Sequence, residues 1–297
     1  MSSRRIGFVD YRLDNFHAEV YRKALRDPLA SRGYRLAGAT ALLADASRDW
    51  CAERDVTYYP TVAELAPHVD CFMVLAPSNP EVHLELCRQT FPFGKPTFVD
   101  KTFAPDAATA AEIFDLADAF GTPVQSTSAL RSTPIQQALA ELPGPLQHLV
   151  VFSSGTSFAE YGIHPVELAV SCLGPEVQEM MRLGSADHPL FVLKFSGERT
   201  ALIDFNLQAE VPFSAILSSA SGSERIAVDG ARLFIDAAAS ILDFFDARRP
   251  LVDRRETLAV RRILDMALDE AAWERFAPLD GRRELIAVKP SAAPGVF

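Results

Sequence analysis

The stretch IGFVDYRLDNF, residues 6–16, indicates how the chain begins to fold. We predict a short apolar strand over Arg5–Val9, then a turn, then a helix over Ala18–Leu25. This order is typical of the first unit of a dinucleotide-binding domain, in which the turn is rich in glycine. The turn here, Asp10–Asn15, contains no glycine. The stretch therefore favours the fold and leaves the binding of a dinucleotide open.

The first 125 residues or so alternate short apolar runs with helical patterns. Alternation at this spacing predicts a parallel sheet with helices on both faces. The predicted strands are Arg5–Val9, Tyr34–Thr40, Cys71–Leu75, Thr97–Val99 and Pro123–Gln125, and the predicted helices are Ala18–Leu25, Ser47–Arg54, Val62–Ala66, Pro80–Thr90 and Ala107–Ala119.

After about Thr127 the pattern changes to longer strands with partial alternation, which is typical of an antiparallel sheet. The predicted strands are Leu146–Ser153, Leu190–Ser196 and Thr200–Ala209, and the predicted helices are Ile135–Glu141, Ile163–Leu173, Ala231–Asp246 and Arg254–Asp269. We therefore predict an α/β protein of two domains. Residues 1–127 form a Rossmann-like, doubly wound parallel sheet, and residues 128–297 form an α+β domain with a large, mostly antiparallel open sheet. The helix Ile135–Glu141 fits either domain.

The composition is that of a soluble globular protein, with 48% hydrophobic residues among 297 and a net charge of −10. This charge argues against nucleic acid or an anionic membrane as a partner. The four cysteines are dispersed, without zinc-site spacing, which is typical of reduced thiols. The N-terminal MSSRRIGFVD lacks the apolar segment of a secretory signal, so we expect a cytoplasmic protein.

Several later stretches resemble the glucose–fructose oxidoreductase and inositol dehydrogenase family, Gfo/Idh/MocA. Ser78–Ala104, SNPEVHLELCRQTFPFGKPTFVDKTFA, is similar to the family's segment that reads T-P-N, a histidine, then E-K-P. Ser78 stands for the threonine, Asn79 for the asparagine, and His83 for the histidine. Asp100-Lys101-Thr102 stands for E-K-P, and His83 and Lys101 are eighteen residues apart, as in the family.

A second stretch, Glu160–Glu167, is similar to the family's D-x-G-x-H-x-x-D helix, with both aspartates replaced by glutamate. Cys172–Pro175 resembles the L-G-x-P that follows it, Arg131–Pro134 the R-F-x-P at the domain junction, and Phe234–Ala267 the closing helices. The resemblance spans nearly the whole chain. It implies NAD or NADP as cofactor, oxidoreduction of sugars or cyclitols, and a homo-oligomer, either dimer or tetramer.

The nucleotide-binding hallmarks differ from the family pattern. The three motif glycines fall on Asp10, Arg12 and Asn15, whose side chains crowd the approach of a pyrophosphate. The acidic residue that binds ribose falls near Ala41. Arg12 could pair with a phosphate instead. By resemblance, the cofactor-binding positions are Asp10, Arg12, Asn15, Ser78, Asn79, His83 and Asp100.

The resemblance makes Lys101 and His164 the catalytic candidates. Lys101 follows a predicted strand and can donate to a substrate hydroxyl; the alternative is a surface lysine at a turn. Glu160, His164 and Glu167 share one helix face if all are helical, so the glutamates would orient His164 as a general base. The alternative is a structural histidine. Tyr161 and Arg131 are candidates for binding or orienting the substrate, and no metal site is expected.

Asp10, Asp14 and His17 form another polar cluster, at the opening turn. These residues either bind substrate or a metal, or Asp14 caps the helix that begins near Phe16, with Asn15 assisting.

Two functions from different classes remain. The first is an oxidoreductase that transfers hydride between NAD(P) and a sugar-like or polyhydroxylated molecule. The second is a protein that has lost the dinucleotide, either a cofactor-independent lyase or isomerase or a non-catalytic ligand-binding protein. The altered turn and the missing ribose acid favour the second function, while Lys101 and His164 favour an enzyme.

Overall fold

A computed structural model describes residues 4–269 and the backbone of 277–278, so the predicted end of the second domain lies outside the described residues. The first domain is built on a five-stranded parallel sheet in the order β2-β1-β3-β4-β5. Its strands are β1 (Arg4–Asp10), β2 (Tyr34–Ala41), β3 (Cys71–Val74), β4 (Thr97–Val99) and β5 (Val124–Gln125). This confirms the predicted Rossmann-like sheet.

Helices cover both faces of this sheet. They are α1 (Phe16–Arg26), α2 (Ala44–Glu53), α3 (Val62–Leu65), α4 (His83–Thr90) and α5 (Ala107–Phe120), and the 3₁₀ turn Pro80–Val82 leads into α4. The cap of α1 differs from the prediction: the Asn15 side chain accepts from the Ala18 N–H at 3.0 Å. Asp14 instead pairs with Arg12, because its carboxylate has a guanidinium partner two residues away.

The second domain is built on a seven-stranded sheet in the order β11-β10-β6-β9-β8-β7-β12. Its strands are β6 (His148–Ser154), β7 (Val177–Gly184), β8 (Pro189–Phe195), β9 (Thr200–Asn206), β10 (Ser214–Ser219), β11 (Gly222–Ala227) and β12 (Ala277–Pro278). β6 and β9 are parallel and the other pairs are antiparallel, so the sheet is mostly antiparallel, as predicted.

The helices of the second half contact both domains. They are α6 (Pro134–Glu141), α7 (Phe158–Tyr161), α8 (Ile163–Leu173), α9 (Leu233–Ala247) and α10 (Arg254–Ala267). α8 and α10 pack on one face of the second sheet, where Val166 and Ile263 join the core of Phe191 and Ile203. α9 instead packs its apolar side against the first domain.

No helix among the described residues is long and apolar enough to cross a membrane. Within the same residues, no group of three or more His, Cys, Asp or Glu side chains is placed to hold a metal ion.

Candidate active site

The candidate site lies where strands β1, β3 and β4 end side by side at one edge of the first sheet. The turn after β1 begins at Asp10, and β4 is followed directly by Asp100 and Lys101. Ligands of open parallel sheets bind at this edge. Helix α8 of the second domain brings His164 close enough for the charge of Lys101 to act on its ring. The structure therefore brings together the two residues that the sequence singled out.

Lys101 is largely buried at the end of its strand, with 8% of its surface exposed. Its ammonium donates to the carbonyl of Pro77, in the loop after β3, at 3.0 Å. An ammonium has three donors, so two remain for other partners. This fixed position at the strand end differs from the alternative of a surface lysine.

His17 and Asp100 form a buried pair beside Lys101. The Nδ1 atom of His17 lies 2.5 Å from Oδ2 of Asp100, whose other oxygen accepts from the backbone N–H of Lys101 at 2.8 Å. Asp100 is 1% exposed. A carboxylate accepting hydrogen bonds on both oxygens is held in one orientation, and it holds the imidazole in turn.

His164 lies on the second-domain side of the cleft, and its ring centroid is 6.3 Å from that of Tyr161. Its Nδ1 atom is buried without a hydrogen-bond partner in the described part of the chain. Burial first, and then the charges of Lys101 and His17, lower the pKa of His164 to about 3. The ring is therefore neutral at pH 7 and a weak base.

The two glutamates do not orient His164, contrary to the prediction. A single helix does not hold all three residues, because α7 ends before Gly162 and α8 begins after it. Glu160 is exposed and accepts from the Ser78 hydroxyl at 3.3 Å, which links the two domains across the cleft. Glu167 accepts instead from the backbone N–H of Ser128.

Arg131 and Glu167 belong to a partly buried charge cluster at the domain junction. Arg131 lies 3.8 Å from Glu167 and 2.5 Å from Glu256 of α10. Burial raises the pKa of Glu167 to about 7, against the opposing effect of Arg131. Arg131 therefore ties α8 to α10, while its other terminal nitrogen, Nη1, has no hydrogen-bond partner among the described residues. A cavity of about 20 Å³, lined in part by Lys101 and Glu167, has room for one water molecule between these groups.

The turn after β1 is filled by the side chain of Asp10. This carboxylate is fully buried and accepts from the backbone N–H groups of Ala76 at 3.0 Å and Arg12 at 3.3 Å. It also accepts from the Asn15 amide at 2.9 Å. Burial raises the pKa of Asp10 to about 7, against these hydrogen bonds. The Asp10 carboxylate thus occupies the Arg12 N–H, which belongs to the turn where a dinucleotide phosphate binds.

The surroundings hold this turn closed. The Arg12 guanidinium is paired with Asp14, so it is not free for a phosphate. The buried Ser47 hydroxyl of α2 accepts from the Leu13 N–H at 3.1 Å. Leu42, just after β2, donates its N–H to the Asp10 carbonyl at 3.0 Å. The first acidic residue after β2 is Asp45, so no acidic side chain directly follows this strand to bind a ribose. The turn in this conformation does not fit a dinucleotide pyrophosphate.

The other predicted cofactor-binding positions divide into two groups. His83 is fully buried, and its ring nitrogens lie 2.8 Å from the Leu75 carbonyl and 3.1 Å from that of Phe103. It therefore holds the loops after β3 and β4 together and does not reach a ligand. Ser78 is exposed, and Asn79 donates to Glu81 at 2.9 Å, so both are at the mouth of the cleft.

Sequence reasoning missed the pairing of His17 with Asp100. Both residues had been noted, one in the opening cluster and one in the E-K-P segment, 83 residues apart. The available signal was their shared place at the edge of the sheet where the strands have their carboxyl ends. His17 lies in the first turn of the helix after β1, and Asp100 directly follows β4.

The two-domain architecture is the one found in Gfo/Idh/MocA-type dehydrogenases and oxidoreductases, which confirms the sequence resemblance for the fold. No family model and no curated protein matches the sequence.

Among solved structures, the chain is similar to GenD2 from gentamicin A biosynthesis in complex with NAD, with 14% identity and a TM-score of 0.77. That match covers 94% of this chain and 97% of GenD2. A probable dehydrogenase from Thermotoga maritima matches with 15% identity and a TM-score of 0.76, covering 93% of this chain and 99% of the other. A putative myo-inositol dehydrogenase from Sinorhizobium meliloti matches with 14% identity and a TM-score of 0.73, covering 93% and 100%.

Proposed function

We propose that this chain is an oxidoreductase of the Gfo/Idh/MocA type that acts on a polyhydroxylated or sugar-like small molecule in the cleft between its domains. The observation that carries the proposal is the position of Lys101, largely buried at the carboxyl end of β4 and facing His164 of the other domain. An ammonium held there stabilises negative charge on a substrate oxygen. Lys101, His164 and Tyr161 are the side chains proposed to contact the substrate.

NAD or NADP is the proposed cofactor, since relatives of this fold bind them: GenD2 is in complex with NAD, and a mutant of the 3-ketoreductase KijD10 from Actinomadura kijaniata is in complex with NADP. The filled turn at Asp10 opposes this part of the proposal. The roles assigned here are therefore limited to the protein's own residues. A cofactor that binds must either displace the Asp10 carboxylate from the Ala76 N–H or place its phosphates elsewhere.

The filled turn at Asp10 favours a second candidate function. A cleft with a fixed lysine and a paired histidine, but a closed pyrophosphate site, suits a cofactor-independent lyase or isomerase, or a ligand-binding protein. Such an enzyme needs proton transfer and no hydride acceptor. The two candidates share the substrate class and differ in the need for a dinucleotide.

Titration of NADH and NADPH against the full chain separates the candidates, with nicotinamide fluorescence and thermal shift as readouts. The oxidoreductase predicts saturable binding in the micromolar range, and Lys101→Ala should bind equally well but lose turnover. Absence of binding at millimolar cofactor would remove the oxidoreductase and leave the second candidate. Asp10→Gly restores the first motif glycine, so it should bind more tightly than wild type if phosphates enter the turn.

We also propose that the chain forms a homo-oligomer through the open face of the second sheet. Apolar side chains on this face remain partly exposed, among them Phe152, Val192 and Leu202. A contiguous apolar surface of this kind is typical of a contact between proteins. We further propose a cytoplasmic location, which rests on composition alone.

A further inference from the structure

Of the two histidines at the cleft, His17 has a carboxylate partner, and His164 has none among the described residues. The carboxylates expected beside His164 are bound elsewhere, Glu160 to Ser78 and Glu167 to Ser128. A histidine that accepts a proton from a substrate works best when a carboxylate fixes its orientation and stabilises the imidazolium that forms. The described structure provides this arrangement at His17 and Asp100.

The surroundings of His17 determine which ring nitrogen is free. An ionised carboxylate only accepts hydrogen bonds, so Nδ1 of His17 carries the proton that it donates to Asp100. In the neutral ring Nε2 then holds the lone pair. The ring is packed edge-on against Tyr21 and Phe234, with centroids 5.8 and 5.4 Å away, while 11% of its side chain stays exposed. Nε2 is thus held in one position.

Lys101 completes the arrangement, because it is covalently adjacent to Asp100 and its backbone N–H binds the same carboxylate. His17 and Lys101 both lie near enough to His164 for their charges to lower the pKa of its ring. Two of these three residues come from the first domain and one from the second.

We propose that His17, held by Asp100, is the residue that accepts the proton of the substrate hydroxyl. This inference rests on the proposed function, in which a hydroxyl-bearing molecule occupies the cleft. In the step, the substrate O–H bond breaks, the proton passes to Nε2, and the electron pair stays on oxygen as an alkoxide. The Lys101 ammonium stabilises that alkoxide. His164 contacts the substrate from the opposite side without taking the proton.

The first test needs no substrate. The chain has six histidines, so ¹⁵N-histidine labelling gives a resolvable spectrum, and the His17 signals are those lost in His17→Gln. The proposal predicts the Nδ1–H tautomer at a pH where the ring is neutral, and a shift towards the Nε2–H tautomer in Asp100→Asn. An Nε2–H tautomer in the wild type overturns the proposal, because that nitrogen then cannot accept a proton. His17→Asn serves for the assignment if His17→Gln does not fold.

The second test compares the two histidines in turnover of a panel of cyclitols and sugars. A general base contributes about 10²–10⁴-fold, so His17→Gln should lower kcat at least about 100-fold with KM nearly unchanged. His164→Gln, which removes a proposed substrate contact and not the base, should lower kcat by less than about tenfold. The reverse order overturns the assignment to His17. A wild type that turns over no member of the panel overturns the proposed function instead. The tautomer measurement needs no substrate, so it still tests which nitrogen of His17 carries the proton beside Asp100.

Discussion

Replacing Asp10 by Asn should change how the stability of the protein depends on pH. Asn is the isostere of a protonated carboxyl group, so the variant fixes the neutral form at a fully buried position. Burial raises the pKa of Asp10 from 3.8 to about 7 in the folded protein. The folded protein therefore binds this proton more tightly than the unfolded chain does.

The sign of the effect follows from proton linkage. Between pH 4 and 7 the folded state retains the Asp10 proton while the unfolded chain loses it, so rising pH favours unfolding by about 1.4 kcal/mol per unit. Over the whole interval the wild type loses about 4 kcal/mol relative to the variant, as an upper estimate. The penalty is absent below the unfolded pKa and complete above the folded one. Asp10→Asn removes this contribution.

Urea unfolding from pH 4.5 to 8.5 measures the difference, followed by the fluorescence of Trp50, which is buried in the first domain. A Trp273→Phe background leaves Trp50 as the single reporter, because the chain contains two tryptophans. The difference in unfolding free energy between wild type and Asp10→Asn should move in favour of the variant up to about pH 7 and then level off. The exposed Asp49→Asn is the matched control. A difference that stays constant with pH refutes the account of Asp10 as a buried carboxylate with a raised pKa.

Three further outcomes are expected. Asn15→Ala removes the cap of α1 and should lower the unfolding free energy by about 1 kcal/mol in the same assay, whereas an unchanged value would place the cap elsewhere. Burial raises the pKa of Glu167 to about 7, so Glu167→Gln should gain stability relative to wild type as pH rises from 5 to 7, and a difference that stays constant over this range would mean that Arg131 keeps the glutamate ionised. Val192→Glu on the open sheet face should reduce the mass in light scattering to that of one chain; a monomeric wild type would contradict the proposed oligomer.

The parallel sheet was predictable almost to the residue, for a physical reason. Strands buried on both faces are nearly continuous apolar runs, such as Cys71–Val74, bounded by polar turns. The second sheet was less predictable, because strands towards its two edges mix polar and apolar residues. β7, Val177–Gly184, contains Gln, Glu and Arg, and the hairpin of β10 and β11 is rich in serine, so neither gives a clear apolar pattern.

The candidate site was predictable where it depends on one strand end and not where it depends on packing. Lys101 follows β4 directly, so its place at the edge follows from the strand itself. The expected support of His164 by two glutamates failed because Gly162 separates Glu160 from the helix of His164, and because a buried backbone N–H competes for Glu167. The pair of His17 and Asp100 depends on strand order, which brings together residues distant in sequence.

The most direct test of the proposed oxidoreductase is turnover itself. Wild type is incubated with NAD⁺ or NADP⁺ and a panel of cyclitols and sugars, and absorbance of the reduced nicotinamide is followed over time. The account predicts reduction with at least one member of the panel, lost at least about 100-fold in Lys101→Ala while that variant keeps the wild-type fold by circular dichroism. An equal rate in Lys101→Ala, or no reduction with any member of the panel, would contradict it.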